Sequence, residues 1–183
     1  AQVRECAAHL TRAAKAIRDA AAQGTPVDLF MANQRAWIDD QRPVGTLWLG
    51  DLEAQLLGEG RRPDADGQFT VTVKDLMATT GFCHLNCLVA RRDLFDRVGG
   101  MDEGIRWECD RDIFLKLIEA SDRMVHHPAV VSYHRVPDPK QANNMTTTLG
   151  MVEKRILQSL VLDRALARSK HPLIKQHARL HKG

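Results

Sequence analysis

Residues His84–Leu117 read HLNCLVARRDLFDRVGGMDEGIRWECDRDIFLKL, and the residue pattern changes character three times within them. His84 to Ala90 is an apolar run of strand length, predicting a buried strand. Arg91 to Val98 carries Leu94 and Phe95 as a short helix, and Gly99-Gly100 stop it by supplying a left-handed C-cap. After a turn, Asp110 to Ala120 places Ile113, Leu117 and Ala120 on one face, with Phe114 and Ile118 beside them. That spacing predicts an amphipathic helix opened by a cluster of acids. Strand, helix, turn and helix in this order point to an α/β protein.

The neighbouring segments continue the alternation. Val3 to Gln23 is alanine-rich with Cys6, Leu10, Ala14, Ile17 and Ala21 at helical spacing, and Gly24 and Pro26 end it. Val27 to Asp39 reads as a strand, DQRPVG (40–45) as a turn, and Thr46 to Leu57 as a helix with Thr46 at its N-cap. GEGRRPDADGQ (58–68) is a polar loop, and VKDLMATTG (73–81) holds a short helix. Downstream, RMVHHP and AVVSYHRV read as two extended pieces split by Pro128. Residues 137–144 form a loop, Met145 to Ser169 a long helix, and a basic tail runs to Gly183. No internal repeat is visible.

A chain of 183 residues, 44% hydrophobic, can bury one domain core but not two comfortable ones. Its formal charge of +3 is scattered, and no basic stripe with interleaved aromatics marks a nucleic-acid partner. The apolar runs fall far short of a membrane span, so the expected location is the cytoplasm, extending to the inner face of the membrane. Four cysteines in such a chain read as reduced thiols rather than a disulfide frame. Cys83 and Cys87, spaced C-x3-C, fit buried strand thiols. A zinc module around them is the competing reading.

From Leu88 to Arg135 the order of motifs resembles the family 2 glycosyltransferases of the GT-A fold. Gly99-Gly100-Met101-Asp102-Glu103 resembles that family's Gly-Gly-aromatic-Asp-Glu turn. Cys109-Asp110-Arg111-Asp112-Ile113 resembles its Glu-Asp-x-Asp-Leu motif, with Cys109 in place of Glu and Glu108 one position earlier. Tyr133-His134-Arg135 stands where a terminal Tyr-Arg-x-His element belongs, and Asn144-Met145-Thr146 resembles the element after it. The resemblance implies the C-terminal part of a GT-A mixed sheet flanked by helices, without the N-terminal nucleotide-binding half. It also implies residues 1–140 as the acceptor-side portion and 141–183 as a C-terminal helical extension.

What the resemblance implies chemically is an inverting transfer of sugar from a nucleotide-sugar donor to an acceptor hydroxyl. The acceptor class is carbohydrate, lipid-linked or protein, and a divalent cation, Mg or Mn, is the expected cofactor of the full enzyme. The catalytic base maps to Asp110, with Glu108, Trp107, Asp102 and Asp112 as substrate-binding candidates and His134 as a metal candidate. In the first turn of a helix the dipole and free N–H groups stabilise a carboxylate anion, which suits a positioned base. The bland alternative is that Asp110 or Glu108 simply caps the helix, worth about 1 kcal/mol. Trp107 could present a sugar-stacking face or a core ring. His126-His127 reads as structural, and Arg91 and Arg92 fit phosphate contact or surface charge.

The family's metal-binding Asp-x-Asp is expected upstream of Ala1. Asp64-Ala65-Asp66 matches its letters but reads as a surface turn. Asp39-Asp40 ends a strand and reads as a turn start. A different class of function is also open: an interaction or homo-oligomerisation module, using the long helix with Ile156, Leu160, Leu162 and Leu166.

Overall fold

Four consecutive apolar residues, Leu29 to Ala32, lie in the middle of the molecule, and all are 2% exposed or less. Burial on both faces is what a central, partly parallel strand requires. In the computed structural model, which describes residues 2–39, 42–79, 83–136 and 149–182, this run opens strand β1 (Leu29–Asp39). The other strands are β2 (Arg42–Trp48), β3 (Phe69–Val71), β4 (Leu88–Ala90) and β5 (Met124–Arg135). They form one mixed sheet in the order β2-β1-β5-β3, with β4 also pairing with β1. β1 and β5 run parallel, while β2, β4 and β3 pair antiparallel with their neighbours.

Seven α-helices among the described residues flank the sheet. Helix α1 (Gln2–Ala22) lies against Phe30 and Val125 through Ala13, Ala16 and Ala20. The expected stripe is rotated by about one position: His9 and the alanines face inward, and Leu10 is 55% exposed. Alanines let the helix backbone approach the sheet closely, and a leucine at the contact would hold it away. Gly24, at φ 71°, closes the helix, and the Thr25 amide reaches back to Ala20 O at 2.9 Å.

The predicted turn is corrected at residues 42–45, which are strand, residues 40–41 lying outside the described residues, and the helix from Thr46 is corrected too. β2 extends through Trp48, pairing Leu47 with Arg35 and Trp48 with Gln34. Helix α2 (Gly50–Gly58) begins after Leu49, which is left-handed at φ 56° and makes no side-chain cap. Gly50 has a steric reason: a Cβ there would sit 2.8 Å from Leu47 Cβ. Thr46 and Trp48 are residue types that favour strands, so pairing with β1 agrees with their propensity and the helix begins only after Leu49.

Helix α3 (Val73–Met77) forms as expected, with Thr72 and Asp75 in a reciprocal capping box. His84 to Cys87 is not strand: a 3-10 turn spans Leu85–Cys87, and β4 is only Leu88–Ala90. Helices α4 (Arg92–Arg97) and α5 (Cys109–Ala120) match expectation. β5 is one strand, not two. Its register slips opposite Ala32 to Gln34, and the Asn33 side-chain amide donates to Pro128 O at 2.8 Å, so the proline sits in a bulge rather than a break.

The long C-terminal helix is α6 (Met151–Arg168), and the expected basic tail is a further helix, α7 (Pro172–Lys182). Leu162, Ala165, Ile174 and Ala178 enter the same core cluster as Leu29, Phe114 and Leu117. Residues 137–148, including the expected boundary at 140, the loop and Asn144-Met145-Thr146, lie outside the described residues, as does Asp40. Among the described residues no helix is long and apolar enough to cross a membrane.

Candidate active site

Three acids open α5, and the backbone sends them in three directions. The chain leaves α4 through Gly99 and Gly100 at φ 78° and 60°, and Asp102 turns it again by accepting the Gly104 amide at 2.8 Å. Lys116 ties this turn to α5 by donating to Gly100 O at 3.1 Å. Glu108 then takes a left-handed conformation, φ 63°, that a non-glycine residue adopts only under constraint. It occupies the N-cap position, yet its carboxylate reaches Arg111 instead of capping the backbone.

Asp112 points inward. It is 1% exposed and ion-paired with Lys116 at 2.9 Å and Arg168 at 3.1 Å. Asp110 points the other way, with a side chain 24% exposed. One of its oxygens accepts the Arg111 amide at 2.9 Å, and the other lies 3.7 Å from His84 Nε2. That second separation is longer than a hydrogen bond but within charge contact.

The 3-10 turn is what brings His84 there. Cys87 Sγ lies 3.1 Å from Ser132 Oγ and donates to Asn33 O at 3.4 Å, and Gln34 donates to the same serine at 2.9 Å. The turn is thereby fastened to β1 and β5. His84 Nδ1 accepts the Asn86 amide at 3.4 Å, so in the neutral ring the proton sits on Nε2, facing Asp110. His134, near the C-terminal end of β5, places its ring 5.3 Å from that of His84 and 5.2 Å from that of Trp48, edge-on to the indole. Burial lowers the His134 pKa, the neighbouring His84 adds to the effect, and Asp110 opposes it. His134 is therefore an uncharged ring at neutral pH. On the sheet's other side, Tyr133 packs 5.5 Å from Trp37, with Arg135 over the same indole.

Of the residues singled out in the sequence, Asp110 and His134 meet in one site. Among the described residues, the other candidates are held by different partners. Asp102 holds Arg164, Trp107 lies under Lys154 Nζ at 5.2 Å from the ring centre, Glu108 holds Arg111, and Asp112 is buried. Arg91 and Arg92 engage Asp28 and Asp96. Cys109, beside Asp110, has its thiol pKa raised, by burial first and then by the Asp110 charge.

His84 and Trp48 were not singled out. The sequence pattern places His84 in a strand and Trp48 in a helix. Only the 3-10 turn and the extra length of β2 bring them to Asp110.

Among the described residues, no group of three His, Cys, Asp or Glu could hold a metal ion, the set around His134 and the Cys83–Cys87 pair included. Asp64-Ala65-Asp66 is a turn, in which Asp64 Oδ1 accepts the amides of Asp66 at 3.0 Å and Gln68 at 2.8 Å. Comparisons of the chain with protein-family models, with curated proteins and with solved structures find no match.

Proposed function

We propose that the protein acts in glycosyl transfer, with Asp110 as the base that receives the acceptor's proton. One observation carries this reading. Of the three acids that open α5, Glu108 and Asp112 are each neutralised by a cation, while Asp110 is partly exposed beside a row of rings. Among the described residues Asp110 is paired with no lysine or arginine and meets only His84, which leaves its carboxylate able to take a proton. Trp48, His134 and His84 present edges and faces suited to the C–H groups of a sugar, and His134 adds no competing charge.

In the proposed step an acceptor hydroxyl attacks the anomeric carbon of a nucleotide-sugar. The O–H proton passes to Asp110, the new C–O bond forms, and the bond to the diphosphate breaks. The nucleoside diphosphate leaves with the electron pair, and the anomeric centre inverts. The site lies near the C-terminal ends of the parallel strands β1 and β5, where open α/β sheets place their ligands. The motif order from Leu88 to Arg135 supports the same reading.

The test is nucleoside diphosphate release from uridine and guanosine diphosphate sugars with carbohydrate acceptors. Asp110→Asn is expected to lower turnover by at least ~100-fold while leaving the circular dichroism spectrum unchanged. Turnover within a factor of about two of the parent chain would overturn the base assignment.

A further inference from the structure

The apolar residues of α6 divide between two opposite faces. Val161, Leu162 and Ala165 are buried against the rest of the molecule. On the other side Val152 is 73%, Ile156 62% and Leu160 43% exposed, and Met151 extends the same surface. A soluble helix needs only one apolar face, so a second continuous one calls for a partner. An open recess of ≈ 550 Å³ lies along it and also takes in Arg155, Ser159 and Asp163.

We propose that this face is covered by a second copy of the same chain, packed antiparallel, α6 against α6. The charges decide for a copy over an unrelated partner. In a two-fold interface, residue i meets j and j meets i, so the surface must complement itself. Arg155 and Asp163 stand four residues to either side of Ser159, about 12 Å apart along the axis at 1.5 Å per residue. A two-fold axis at Ser159 sets Arg155 of one copy level with Asp163 of the other, twice over. The same axis brings the two Leu160 side chains together, places the two Ile156 side chains around them, and puts the small Ser159 at the crossing. Asp163 holds Lys182 through Oδ1, and its second oxygen can accept the incoming guanidinium. The proposal is independent of the glycosyl-transfer reading and uses none of its residues.

Sedimentation velocity over a concentration series tests it. The parent chain is expected to move from monomer to dimer as concentration rises. Leu160→Glu should raise the dissociation constant by ~30-fold or more, as for a charge placed at an interface centre. Arg155→Asp and Asp163→Arg should each weaken the dimer by about 10-fold, and the double exchange should recover most of that loss. Circular dichroism checks that each surface variant keeps its fold.

Three results would overturn the proposal: a monomer up to hundreds of micromolar, a dimer indifferent to Leu160→Glu, or a charge exchange without recovery. A monomer in which Ile156→Cys resists maleimide labelling, measured against the parent chain, would place another segment on this face and also overturn it.

Discussion

Asp110 and Asp112 are two residues apart and should respond to substitution in opposite ways. Asp112 compensates Lys116 and Arg168 from a fully buried position, so Asp112→Asn leaves cationic charge in the interior. A loss of about 3 kcal/mol in urea unfolding is expected, because breaking a buried pair strands its partners. Asp110→Asn is isosteric and partly exposed, and its unfolding midpoint should stay within about 0.5 kcal/mol of the parent. Equal destabilisation by both would show that Asp110 is merely structural. His126 offers a pH test. It is fully buried, neither ring nitrogen has a hydrogen-bond partner among the described residues, and burial, with His127 adding, pulls its pKa down to about 4. The unfolded ring takes its proton near pH 6.5 and the folded ring only near 4, so stability falls as pH drops through that window. The loss is about 3 kcal/mol for this residue. His126→Leu should flatten that part of the acid limb, and an unchanged slope would count against it. Motif order in the sequence points to Asp110 and His134 as candidates, and both positions lie close to His84. His84 and Trp48 could not be selected that way, since each depends on a contact far along the chain.

At the scale of elements, α3 and α4 were readable because their caps are local: Thr72 with Asp75, and Gly99-Gly100 after Arg97. Helix α5 was readable from its apolar spacing alone, since Glu108 makes no side-chain cap. The start of α2 was not readable, because Leu47 and Trp48 pair with Arg35 and Gln34, residues that helical periodicity does not see. Gly50 marks that boundary. Gly50→Ala drives a methyl into Leu47 and is expected to cost about 1–3 kcal/mol by thermal unfolding, as overpacking does. A neutral result would mean that Leu47 moves aside freely. The two-piece reading of β5 failed for a related reason. Pro128 cannot donate to a ladder, but Asn33 supplies the hydrogen bond to its carbonyl from the neighbouring strand. Asn33→Ala should remove about 1–2 kcal/mol by leaving that carbonyl unmet, and a smaller change would show that water replaces the amide.

For the molecule as a whole, α/β alternation was legible and the C-terminal packing was not. Basic residues in 170–182 suggest a tail, but Ile174 and Ala178 fall on one side of α7 and are fully buried. Glu119 accepts the amides of Lys170 at 2.6 Å and His171 at 3.0 Å, which sets the turn between α6 and α7. Ending the chain after Ser169 is therefore expected to expose core surface, seen as dye binding and a lowered unfolding midpoint. An unaltered midpoint would make α7 an appendage. The ion pair between Asp112 and Arg168 has a thermodynamic corollary. It joins the end of α6 to the helix that carries Asp110, so the proposed self-association on α6 and the proposed acceptor site beside Asp110 share one body. Whatever factor an acceptor imposes on the dimer's dissociation constant, dimer formation must impose on the acceptor's.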